Sequence, residues 1–74
     1  MHMGEKVAML RRARQWTQRD LAALADVPQP VICRLEAHKQ HGVHSTVLRK
    51  LAQALGCTTD YLVGMHEAEE HLTP

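Results

Sequence analysis

Thr17-Gln-Arg-Asp-Leu-Ala-Ala-Leu-Ala-Asp-Val-Pro-Gln-Pro-Val-Ile-Cys-Arg-Leu-Glu36 decides the fold, because it reads as two short helices joined by a tight turn. Thr17 is a strong N-cap: its hydroxyl can accept from backbone N–H groups orphaned in the first turn, and Asp20 suits the positive end of the helix dipole. Leu21, Ala22 and Ala25 share one face at helical spacing, and the small alanines let a second helix come close. Asp26 ends the run, since a turn there needs a residue that tolerates positive φ. Val27 is the apolar residue of the turn, and Ile32 and Leu35 resume helical spacing beyond it, closing a small core between the two helices.

Outward from that stretch the pattern stays helical. Glu5 to Arg14 reads as a first helix, with Val7 and Leu10 on its inner side and Arg11, Arg12 and Arg14 crowded at its end, where positive charge favours the dipole. Arg12 and Arg14 are expected in solvent or towards phosphates. Trp16, just before the cap, is expected to pack back on the helix it precedes. Downstream, Ser45 is expected to cap a fourth helix whose Leu48, Leu51, Ala52 and Leu55 repeat at helical spacing and whose Gly56 supplies the end. Thr58 or Thr59 caps a short fifth helix through Asp60, Tyr61 and Leu62, ended by Gly64. The acidic, histidine-bearing tail from Met65 to Pro74 is too short for another domain and reads as a frayed helical turn. With 74 residues, only two aromatic side chains and no alternating β-branched run, the chain is expected to be one small all-α domain over residues 4–64 with an aliphatic core.

The stretch from Thr17 to Glu36 resembles the helix-turn-helix of the lambda-repressor-like family, the Xre and Cro type of regulators. Thr17-Gln18, Leu21-Ala22, Val27, Ile32 and Glu36 carry the resemblance. Leu10-Arg11 before the motif, and Leu48, Leu51-Ala52, Ala54-Leu55-Gly56 and Asp60-Tyr61-Leu62 after it, extend it in the same order. The resemblance implies a five-helix domain that binds double-stranded DNA, with the helix after Val27 reading bases. It also implies that Arg11 pairs, partly buried, with Glu36, against the alternative of a plain surface charge.

Two prolines depart from the family pattern. Pro28 stands where Ser or Thr is usual, and Pro30 follows two residues later. Because the residue before a proline is pushed from helical φ/ψ, the second helix is expected to begin at Pro30 with Gln29 as its cap. Gln29 matches the position that most often touches a base edge, and glutamine can bond bidentately to adenine. Arg34 and Cys33 lie on or near the same outer side. His38 stands where a glycine is common and is expected at positive φ. Thr17, Gln18 and Arg19, with the polar loop through Lys39 and Gln40, are expected to hold phosphates. Self-association through the end of the chain, around Asp60 to Met65, would make a two-fold dimer.

Charge agrees only after division: through Gly42 seven basic residues face four acidic ones, and the remainder carries two basic and four acidic. Cys33 and Cys57 are expected to stay reduced in a cytoplasmic protein without signal peptide or membrane span. Cys33, His38, His41 and His44 carry metal-binding groups, but the pair-plus-pair ligand spacing is missing, so no metal and no other cofactor is expected. No nucleophile with a positioned base, phosphate-cradling glycine loop or paired carboxylate site appears, which argues against an enzyme. Without a separate effector domain, no small-molecule ligand is expected. Transcriptional repression is the leading expectation; an antitoxin that uses the same fold to bind a toxin and DNA is the alternative.

Overall fold

A computed structural model describes residues 2–40 and 43–64. Five helices follow one another: α1 (Met3–Ala13), α2 (Gln18–Ala25), α3 (Gln29–Glu36), α4 (Ser45–Leu55) and α5 (Thr59–Val63). There is no strand among the described residues. The expected tail turn, from Met65 onward, lies outside them.

Local chemistry explains most of the helix ends. Thr17 Oγ1 accepts from the Asp20 amide at 3.0 Å while Asp20 Oδ2 accepts from the Thr17 amide at 2.9 Å, a reciprocal capping box. Asp26 closes α2 in the left-handed region at φ 58°. Lys50 of α4 donates to its carbonyl at 3.2 Å and to its carboxylate at 3.3 Å. Thr58 caps α5 by accepting from the Tyr61 amide at 3.0 Å, and Gly56 and Gly64 end α4 and α5 with left-handed φ.

Three starts differ from expectation. α3 begins at Gln29, not Pro30, and Pro28 is the cap with φ −64° and ψ 137°. The proline ring already holds Pro28 near that φ, its carbonyl accepts from the Val31 amide at 3.1 Å, and Pro30 falls where no intrahelical acceptor is needed. The pre-proline pressure on Gln29 is a preference that these contacts outweigh. α4 starts after His44 rather than Ser45, since His44 Nδ1 accepts from the Thr46 amide at 3.2 Å. His2 does the same for the Gly4 amide at 3.0 Å, so α1 starts at Met3 rather than Glu5. α1 stops at Ala13, with Arg14 as its cap. Gln15 then takes φ 60°, and the Gln15 and Trp16 amides return to the Arg12 and Arg11 carbonyls at 2.9 and 3.1 Å. α3 ends in the same way, with His38 at φ 61° as expected and the Lys39 amide on the Arg34 carbonyl at 2.9 Å.

The core is aliphatic. Val7, Leu21, Ile32, Leu35, Leu51, Leu55 and Leu62 are fully buried, with Ala22, Ala25, Val27 and Ala52 between them. α1 packs on α3, α4 and α5, and α2 packs on α3 and α4, so α3 is held from two sides. Trp16, Tyr61 and Cys57 are partly buried against this cluster, and both cysteines are free. Burial pushes the Cys57 thiol pKa up, against the opposing charge of Arg14.

Two cations have structural roles that local pattern does not reveal. Lys6 is buried on α1, its Nζ donating to the Tyr61 carbonyl at 2.8 Å and lying 5.0 Å from the Tyr61 ring centre. It thus ties α5 to α1 across 55 positions of sequence. Arg14 is exposed as expected, yet its guanidinium donates to the Leu10 and Leu55 carbonyls and lies 5.6 Å over the Trp16 ring. It fastens the end of α1 to the end of α4.

Candidate nucleic-acid interface

The candidate interface comprises α2, the turn at Asp26 and Val27, and α3. Ile32 and Leu35 are buried and Val31 is half-buried, while Gln29, Pro30, Cys33, Arg34 and Ala37 are exposed. With 3.6 residues per turn, the exposed residues form one continuous strip on the side of α3 opposite the core. Gln29, Cys33 and Arg34 are therefore brought together as a surface. Thr17 and Arg19, at the start of α2, are exposed too, as is Lys39 after α3; Gln40 is half-buried. The loop continues through His41 and Gly42, which lie outside the described residues.

Gln18, expected to hold a phosphate, also makes a contact within the fold. It is half-buried, and its side-chain amide donates to Glu36 Oε1 at 3.1 Å. That contact belongs to a cluster beneath the interface. Arg11 Nε donates to Glu36 Oε2 at 2.8 Å and Arg11 Nη2 donates to Oε1 at 2.9 Å, a two-pronged pair whose side chains are only 11% and 6% exposed. Arg11 Nη1 donates to the Trp16 carbonyl at 2.7 Å. The Arg11–Glu36 pair thus gathers α1, the approach to α2, the first residue of α2 and the last residue of α3, which fixes the angle at which α3 is presented.

The electrostatics of the cluster follow from these contacts. Burial alone would push the Glu36 carboxyl pKa up, but hydrogen bonds from Arg11 and Gln18, with the charges of Arg11 and Arg12, hold it below the usual range. The hydrogen bond to Glu36 raises the Arg11 pKa, against desolvation and with the help of the carboxylate charge.

Among the described residues, no group of three or more histidine, cysteine, aspartate or glutamate side chains is arranged to hold a metal ion. His41, which with Cys33, His38 and His44 makes up the four metal-binding side chains of this stretch of sequence, lies outside them. His38 stacks on His2, with ring centres 4.5 Å apart, and its Nε2 is 3.9 Å from Glu5 Oε1. No helix of the described residues is long and apolar enough to cross a membrane.

A family model described as helix-turn-helix matches residues 7–62, from the inner face of α1 through α5. Neither the curated proteins nor the solved structures yielded a match.

Proposed function

Since the chain belongs to the lambda-repressor-like, Xre-type helix-turn-helix family of DNA-binding transcription regulators, we propose that it is a sequence-specific repressor acting as a dimer on an inverted-repeat operator. The observation that carries this reading is the capped α2–turn–α3 unit, which buries Ile32 and Leu35 and turns Gln29, Cys33 and Arg34 outward. The DNA-binding domain is assigned to residues 4–64. α3 lies in the major groove, where Gln29 bonds an adenine edge and Arg34 reaches a guanine or a phosphate. Thr17, Arg19, Lys39 and Gln40 hold the backbone and fix register. Gln18 serves the same end indirectly, through Glu36. Repression follows from occupancy, in the cytoplasm and without cofactor or effector.

One recognition helix spans too few base pairs for useful specificity, so two copies place their α3 helices in successive major grooves about 34 Å apart. The self-contact is assigned to the segment from Asp60 to Met65, where Val63 of α5 leaves 42% of its surface exposed. Selection of bound duplexes from a random pool tests binding, specificity and symmetry together. The expected result is an inverted repeat, with a dimer in equilibrium sedimentation. Selected sites without two-fold symmetry would refute the dimer, and a pool with no preferred sequence would refute the whole reading.

The two classes of contact have different signatures. Arg19→Ala or Lys39→Ala is expected to weaken binding to every sequence alike and to flatten the salt dependence by about one unit each. A change in sequence preference would mean that these residues touch bases. Gln29→Ala is expected to cost about 1–3 kcal/mol at one base pair and to relax preference there while leaving non-specific affinity intact. Equal weakening on all duplexes in a binding titration would remove Gln29 from base reading.

A further inference from the structure

The exposed strip of α3 has an unusual centre. At 100° per residue, the direction opposite Ile32 and Leu35 falls on Pro30 and Ala37, with Cys33 and Arg34 to either side and Gln29 at the margin. Pro30 has no N–H, and a thiol is only a weak donor and acceptor. The middle of the surface offered to DNA is therefore apolar, between one amide and one guanidinium.

We propose that Pro30 and Cys33 together read the C5-methyl group of a thymine, on the base pair lying between those contacted by Gln29 and Arg34. This rests on the proposed entry of α3 into the major groove, with Arg34 on a guanine rather than on a phosphate. Thymine's methyl is the one apolar group that the four unmodified bases present on that edge. A G·C pair at the same place presents an amino group, a carbonyl and a ring acceptor much as an A·T pair does but has no methyl, so the apolar contact is what favours A·T over G·C. Spacing selects the middle pair. Five residues of helix rise by about 7.5 Å from Gln29 to Arg34, close to two base-pair steps of about 3.4 Å, and the midpoint of Pro30 and Cys33 falls about one step from Gln29.

The test uses the full chain and the duplex chosen by random-pool selection. The selected half-site should carry an A·T pair between the positions that respond to Gln29→Ala and Arg34→Ala. Replacing its thymine with deoxyuridine, which removes the methyl and keeps the base pairing, should weaken binding about fourfold, the worth of one methyl group removed from water. The same replacement at thymines outside the half-site should change nothing. Cys33 is exposed, so Cys33→Ser leaves the core untouched; in that variant the penalty for deoxyuridine should shrink. Selection of a G·C pair at the middle position, indifference to deoxyuridine, or an equal penalty in Cys33→Ser would overturn the inference and leave the DNA-binding reading standing. A pool that yields no preferred sequence overturns both.

Discussion

Glu36→Ala is expected to lower the unfolding free energy by about 3–5 kcal/mol, because it strands a guanidinium that the fold has taken out of water. Arg11 sits with two of its nitrogens on the carboxylate and a third on the Trp16 carbonyl, and neither side chain of the pair exceeds 11% exposure. An exposed pair would be worth under about 1 kcal/mol, so the size of the loss discriminates between the two situations. Arg11→Ala should cost a similar amount by leaving the half-buried carboxylate with the Gln18 side-chain amide as its donor among the described side chains. The double variant should lose much less than the sum, since it strands neither charge. Against a typical total of about 5–15 kcal/mol for a domain, either single change removes a large share of the stability. Urea denaturation of the two single variants and the double decides the matter; small, additive losses would show that the pair contributes little.

The same cluster sets an acid limit. Glu36 has a folded-state pKa below its unfolded value, so its contribution is fully present above the unfolded carboxylate range, near pH 4.5. It is lost as pH falls through the depressed folded value. Stability measured from pH 6 downward should therefore fall less steeply in Glu36→Gln than in the parent.

Legibility from the sequence divides along the range of the interaction. The cap at Thr17 with Asp20 in its first turn, the left-handed Asp26 and His38, the helix ends at Gly56 and Gly64, and a cap at Thr58 or Thr59 follow from residues within a turn of one another; the structure has them, chooses Thr58, and adds the reciprocal bond of Asp20 to Thr17. The core residues Val7, Leu21, Ile32, Leu35, Leu51 and Leu55 are legible for the same reason, as helical periodicity, whereas α5 is too short for a period to single out Leu62. His2 and His44 escaped notice as caps because imidazole is an unusual choice where Ser, Thr, Asp and Asn lead. Gln15 escaped because nothing in its chemistry marks it for positive φ. The contacts of Lys6 and Arg14 have no local signature: each is a plain cation on a helix until α5 or α4 brings a carbonyl to it, 55 and 41 residues away. Gln18 illustrates a subtler case. Its position on the motif pointed outward to DNA, while its side chain turns inward to the carboxylate that steadies α3.

Gly4→Ala is expected to destabilise the domain by about 2–3 kcal/mol, although alanine is the better helix former by about 1 kcal/mol. A Cβ at Gly4 would stand 1.9 Å from the Leu35 carbonyl oxygen, 2.8 Å from its carbon and 3.2 Å from the Glu36 Cα. All three are backbone atoms, so no rotamer change relieves the overlap and α1 has to move bodily away from the end of α3. That movement pulls at Leu35 in the core and at the Glu36 carboxylate held by Arg11. Gly56→Ala provides the contrast. There the new Cβ would meet only the tip of the flexible Arg14 side chain at 3.3 Å, leaving mainly the cost of a left-handed alanine, about 1–2 kcal/mol. Chemical denaturation should rank Gly4→Ala below Gly56→Ala, and Gly4→Val lower still as further methyl groups press on the same carbonyl. A Gly4→Ala protein as stable as its parent would mean that α1 and α3 separate without penalty, and that the close approach at Gly4 does not hold the recognition helix in place.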